Sequence, residues 1–168
     1  GGGLVAARHL AVAGAEVRVI LAAPRSGLDE VPAHQAAALV AMGVVVRDDD
    51  LDAGGDLVVD AVLGYSQRGA PRGRAAEVLA AIGDRPVRSL DTPSGLELER
   101  AVAHPGAVRA AVTVTLAAPK AALRAVDAPA HVGRLVVADI SVPPAVYPAV
   151  GAERSPDFSD GPLLEVAA

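Results

Sequence analysis

Residues 89–98, Ser-Leu-Asp-Thr-Pro-Ser-Gly-Leu-Glu-Leu, set a carboxylate at the end of an apolar run and a proline-serine-glycine turn directly after it. If a strand delivers Asp91 to a ligand, its carboxylate can act as a general acid and base, with Ser94 as a ligand or orienter. Asp and Ser in such a turn can equally satisfy nearby backbone N–H groups. A second carboxylate, Asp60, lies inside Leu-Val-Val-Asp-Ala-Val-Leu-Gly at 57–64. A charge among apolar neighbours needs a partner. That partner is either a set of backbone amides at the strand end or a cation shared with the Ser94 hydroxyl. Oxygen donors without any cysteine suit a hard cation rather than zinc.

Two further stretches could hold phosphate. Gly1-Gly2-Gly3 precedes a helix pattern, so it can present backbone N–H groups and a helix N-terminus to an anion. Residues 64–73, Gly-Tyr-Ser-Gln-Arg-Gly-Ala-Pro-Arg-Gly, combine three glycines with Arg68 and Arg72. That composition suits a pyrophosphate clamp, or a solvated surface loop. His9, His34, His104 and His131 are scattered without metal-site spacing. Lys120 follows a strand end and could contact a ligand, although a lysine there is usually solvated.

The elements that must position these groups follow from periodicity. Helices are predicted over 3–13, 31–43 and 74–83, ended by Gly14, Gly43 and Gly83. Strands are predicted over 16–22, 44–47, 57–64, 86–90, 110–118 and 133–143, several of them apolar throughout, as parallel buried strands are. Residues 48–56 read as an acidic, glycine-rich turn, and the tail over 148–168 as irregular. Alternating strands and helices predict an α/β, Rossmann-like three-layer sandwich with a mostly parallel sheet and helices on both faces. In such sheets ligands bind beyond the carboxyl ends of the strands. Asp91, Asp60 with Gly64, and the glycines at 1–3 are all expected at that edge. The chain opens on its glycine cluster without Met, and such loops normally follow a strand, so a first strand is expected upstream of Gly1.

With 168 residues, 52% of them hydrophobic, one domain spanning 1–168 is expected. It should bury about 70% of the unfolded chain's surface. Its core must be aliphatic, because there are two Tyr, one Phe and no Trp. A net charge of −5 and so few aromatic rings argue against nucleic acid as a partner. The lack of cysteine excludes disulfides and thiol nucleophiles. No run reaches the ~20 apolar residues of a membrane helix, and no signal peptide is visible, so the cytoplasm is the expected setting.

Taken in order, Gly1–Leu21, Asp60–Gly73, Asp91–Leu96, Ala110–Leu123 and Gly133–Tyr147 resemble the NAD(P)H-hydrate epimerases, the YjeF N-terminal domain family. The Asp-x-Pro-Ser-Gly element followed downstream by Thr-x-Thr-Leu-Ala-x-Pro-Lys is the most specific part. The resemblance implies an isomerase that interconverts the R and S epimers of hydrated NADH and NADPH (NADHX and NADPHX) in nicotinamide-nucleotide repair. It also implies a partner dehydratase that repairs one epimer, and a possible homodimer. A non-catalytic nucleotide-binding or dimerisation module of the same fold is the alternative it leaves.

Carried over residue by residue, the resemblance makes Asp91 the acid/base carboxylate, with Arg68 as the catalytic cation. Asp60 and Ser94 become ligands of one potassium ion. Gly1, Gly2, Gly64, Tyr65, Ser66, Gln67, Arg68, Gly69 and Ala70, together with Asp91, become the substrate-binding set. The family's glycine loop usually begins Gly-Asn-Asn-Gly-Gly-Asp-Gly. Here its first half, with the asparagine expected at the cation, is absent, and Gly2 stands in place of the aspartate. Arg68 stands where several members have lysine. It keeps the charge but stays protonated, so it can clamp and cannot act as a base.

Overall fold

The computed structural model describes residues 1–51, 54–125, 128–152 and 155–166. Residues 52–53 of the acidic turn, and 153–154 and 167–168 of the tail, lie outside the described residues.

The first half follows the sequence pattern closely. Helix α1 (Gly2–Val12) leads to strand β1 (Arg18–Ile20), and helix α2 (Glu30–Ala41) to strand β2 (Val45–Arg47). The two strands pair in parallel. Helices α1 and α2 cover them through Leu4, Ala7, Leu21, Ala36, Leu39 and Val46. Leu39 is fully buried, and burying one such leucine contributes about 1.5–3 kcal/mol.

The rest builds a second, five-stranded sheet. Strand β3 (Val58–Asp60), helix α3 (Gly73–Ala80) and strand β4 (Val87–Leu90) form a parallel strand–helix–strand unit. Strand β7 (Val112–Leu116) pairs in parallel with β4 and with β8 (Arg134–Ala138). Strand β9 (Leu163–Val166) pairs antiparallel with β8, which gives the order β3-β4-β7-β8-β9. The two sheets are tied by Arg74 at the start of α3, whose Nε and Nη2 donate to the carbonyls of Leu21 and Asp50.

Two expectations need correction. Residues 148–168 are not all irregular: helix α5 (Val146–Ala149) runs into that stretch, and β9 closes the edge of the main sheet. Pro156 and Pro162 masked the strand, because they punctuate the tail just before its four ladder residues. The regular alternation of strand and helix also stops after β4. There the crossover is a small antiparallel hairpin of β5 (Leu96–Glu97) and β6 (Val102–Ala103). Between β7 and β8 it is a single 3₁₀ turn over 121–124 and the short helix α4 (Pro129–Val132). Leu96, Leu98, Leu123, Ala128, Val132 and Leu135 pack these short pieces into one apolar cluster. No helix among the described residues is long and apolar enough to cross a membrane.

Candidate active site

The carboxyl ends of β3, β4 and β7 carry two acidic centres. Asp60 is the last residue of β3, and its Cα partner on β4 is Ser89. The Asp60 side chain is 1% exposed and is met by neutral donors rather than by a counter-charge. Oδ2 accepts from the Ser89 hydroxyl and the Ser94 backbone N–H, both at 2.8 Å. Oδ1 accepts from the Ser94 hydroxyl at 2.6 Å and, more weakly, from Val62 N–H at 3.3 Å. Ser94 Oγ in turn accepts from Leu63 N–H at 2.8 Å. A direct hydrogen bond therefore joins the Ser94 hydroxyl to Asp60. It fastens the 91–95 turn to the end of β3.

Among the described residues no three His, Cys, Asp or Glu side chains converge as a metal site. A cation here would have to use Asp60 Oδ1, Ser94 Oγ and the Leu63 carbonyl, which lies 3.3 Å from Ser94 Oγ. These are oxygen atoms only, with a single carboxylate among them, a donor set of the kind hard cations take.

Asp91 follows β4 directly. Its backbone is left-handed, with φ 66°, and its N–H donates to Val114 O at 2.7 Å. Aspartate is one of the few non-glycine residues that take that conformation at little cost. The side chain is about one-quarter exposed. Oδ1 meets Lys120 Nζ at 2.5 Å and Thr115 Oγ1 at 3.4 Å. Oδ2 makes no hydrogen bond to the described residues.

Lys120, whose default reading was a solvated lysine, is thus the cation at Asp91. Its ammonium also donates to Thr115 Oγ1 at 2.6 Å and to Leu116 O at 3.0 Å. One sequence signal could have found it. Thr113 and Thr115 point the same way from a buried strand, and buried hydroxyls need partners. A lysine just past the strand end can be one.

The loop expected to hold substrate is locked to the next turn rather than free. Gly95 N–H donates to Gln67 Oε1 at 2.8 Å, and Gln67 Nε2 donates to Gly69 O at 3.0 Å. Gln67 was expected to face the substrate. Instead it is buried, with both amide atoms engaged by backbone. Gly69 N–H donates to Glu97 Oε2 at 2.9 Å, and the same oxygen meets His104 Nε2 at 2.8 Å. The hydrogen bond from His104, joined by that from Gly69, holds the Glu97 carboxyl below its ordinary range. Neither Glu97 nor His104 carried a site reading from sequence, since a lone histidine and an alternating Leu-Glu-Leu have no distinctive spacing. Gly95 itself, at φ 95°, has no room for a side chain, because a Cβ would lie 2.5 Å from Ala107 Cα.

Arg68 does not reach Asp91. Its guanidinium pairs with Glu99 at 2.6 Å and donates to Gln67 O, with both charged side chains more than half exposed. This corrects its expected catalytic place to a position on the cleft wall. Tyr65, Arg68, Leu98, Glu99, Lys120, Ala121 and Ala122 line an open cleft of about 350 Å³, near the lower end of the ~300–1,000 Å³ of small-molecule sites. Gly64, Ser66, Gly69 and Ala70 lie on the loop beside it. Gly1 is the N-cap of helix α1, its carbonyl accepting from Leu4 and Val5 N–H. Gly2 has open space around it, whereas a Cβ on Gly3 would meet Ala61 Cβ at 2.5 Å. The glycine cluster therefore approaches the chain immediately after Asp60, on the expected edge.

Comparison with known proteins identifies the family. Residues 1–122 match the model of the family described as YjeF-related protein N-terminus. The chain is 40% identical to an NAD(P)H-hydrate epimerase of Dehalogenimonas lykanthroporepellens, covering all of this chain and 69% of that one. It is 39% identical to a bifunctional NAD(P)H-hydrate repair enzyme of Pyrobaculum aerophilum, over 90% of this chain and 32% of that longer protein. The crystal structure of yeast YNL200c superposes with a TM-score of 0.76 at 24% identity, over 98% of this chain and 71% of that one, and so shares the fold. The chain belongs to the YjeF-related N-terminal family.

Proposed function

We infer that the chain is an NAD(P)H-hydrate epimerase, an isomerase acting in nicotinamide-nucleotide repair. The observation that carries this reading is Asp91. It is a half-buried carboxylate at the ligand-binding edge of a parallel sheet, with one oxygen held by Lys120 and the other unbonded. It sits in a chain 40% identical to a protein of that name.

Epimerisation at C6 of the hydrated nicotinamide ring needs little else. A proton delivered to the C6 hydroxyl lets it leave as water while the ring nitrogen's lone pair forms a planar iminium. Water then adds to the opposite face and returns a proton to the carboxylate. One carboxylate can serve in both directions. Arg68 on the cleft wall suits the substrate's diphosphate, as do the α1 N-terminus and the Gly64–Ala70 loop.

The reading extends to one potassium ion at Asp60 and Ser94, which would brace the 91–95 turn by charge. It also extends to a dehydratase acting on one epimer, in line with relatives named bifunctional repair enzymes. A cytoplasmic setting and a homodimer complete it, the latter checked by light scattering. Replacing potassium by lithium should lower thermal stability or ligand affinity; insensitivity to the exchange removes the ion from this account.

The deciding test is chromatographic or NMR measurement of R/S NADHX interconversion by the wild-type chain and by Asp91→Asn. Acceleration over buffer that Asp91→Asn abolishes is the expected result. Nucleotide binding without acceleration would make the chain a binding module of the same fold.

A further inference from the structure

Arg68 is turned to Glu99 and cannot steady the acid/base carboxylate, whereas every proton of the Lys120 ammonium is directed at a fixed acceptor. Those acceptors are Asp91 Oδ1, Thr115 Oγ1 and Leu116 O. Thr115 is fully buried on β7, the middle strand of the main sheet. Leu116 closes that strand, and Val114 on it receives the Asp91 backbone N–H. Backbone and side chain of Asp91 are thus both anchored to one strand. The turn that brings Lys120 back passes through Ala117, itself left-handed at φ 65°.

We propose that Lys120 is the positioning residue of the acid/base centre: anchored on β7, its ammonium fixes Asp91 Oδ1 and so leaves Oδ2 as the oxygen that exchanges protons with the ligand. An ammonium suits this task because it only donates. It cannot compete with Asp91 for a proton released by the substrate. Lys120 also lines the cleft next to Tyr65 and Arg68, so the residue that holds the carboxylate faces the ligand space.

The inference rests on the epimerase reading, and a double-mutant cycle separates the two. Lys120→Met should lower kcat on the order of 10²-fold, the scale of a misplaced catalytic group, with KM within about threefold. In the Asp91→Asn background the same change should cost nothing further, since Lys120 acts only through Asp91. Lys120→Arg, which keeps the charge and the donors, should recover part of the loss; it also serves as the probe if the methionine variant does not fold. Additive losses, or a raised KM with kcat intact, would overturn the proposal. Should the wild-type chain show no epimerisation, the functional reading fails alone, and the cycle is read in melting temperature. Lys120→Met must then destabilise the wild-type background and leave the Asp91→Asn background unchanged. Equal losses in both would overturn the pairing.

Discussion

Asp60 and Asp91 sit at the carboxyl ends of neighbouring strands, yet their surroundings differ at every point. Asp60 is sealed from solvent and accepts four hydrogen bonds, all from uncharged groups. Asp91 is partly open, bears a single ion pair on one oxygen and keeps the other unbonded. A carboxylate surrounded by fixed donors at all of its acceptor positions has no capacity left for a substrate proton. One that is partly exposed and keeps an oxygen unbonded has. Identical side chains thus differ in how many donors the fold brings to them, four for Asp60 and chiefly one ammonium for Asp91.

The comparison breaks first at Asp91. Asp91→Asn should reduce turnover by about 10²–10⁴-fold while leaving substrate binding and the unfolding midpoint near wild type. Steady-state kinetics with a thermal melt checks both halves, and unchanged turnover would remove Asp91 from the mechanism. Asp60→Asn should do the reverse. Its amide would confront a donor that now faces a carboxylate oxygen, at a cost of about 1–3 kcal/mol for each buried group left unpaired. Urea unfolding should show that loss, and the fraction still folded should keep more turnover than Asp91→Asn does.

Gly95→Ala should come next. It places a Cβ against Ala107 at a left-handed position, with strain of about 1–3 kcal/mol. Because Gly95 N–H holds Gln67, the 64–70 loop should loosen as well, and if that loop binds substrate the change is visible as a raised KM. The smallest effect belongs to Glu97. Its carboxyl is held below the ordinary value of 4.5 by His104 and Gly69, so its contribution is full above that value and is lost as pH falls through the lowered one. Glu97→Gln should flatten this acid limb of the stability curve and leave the neutral-pH melting temperature within a few degrees. An unchanged acid limb would show that the latch contributes nothing.

What could be read from sequence was whatever a local pattern encodes. Helices α1, α2 and α3 and strands β1, β2, β3, β4, β7 and β8 announce themselves by apolar periodicity and by glycines near their ends. Asp91, Asp60 and Ser94 stood out because a carboxylate at the end of an apolar run is unusual. The β5–β6 hairpin was hidden because two-residue strands have no period. Strand β9 was hidden because its pairing depends on β8, far away in sequence. Lys120 was passed over for the same reason: its acceptors are set by the turn at Ala117 and by the register of β7 beside β4, which no window of residues contains. Conversely, Arg68 and Gln67 were chosen for their types in a glycine-rich loop, and tertiary partners claimed both.

The left-handed backbone at Asp91 also bears on how this domain can change over evolutionary time. Only glycine, asparagine and aspartate occupy that conformation with little penalty. A descendant relieved of its chemistry could therefore lose the carboxylate without disturbing the β4 turn by drifting to Asn or Gly. Alanine or a branched residue there would instead add strain of about 1–2 kcal/mol. The residue found at this one position should accordingly separate working members from retired ones more sharply than overall similarity does.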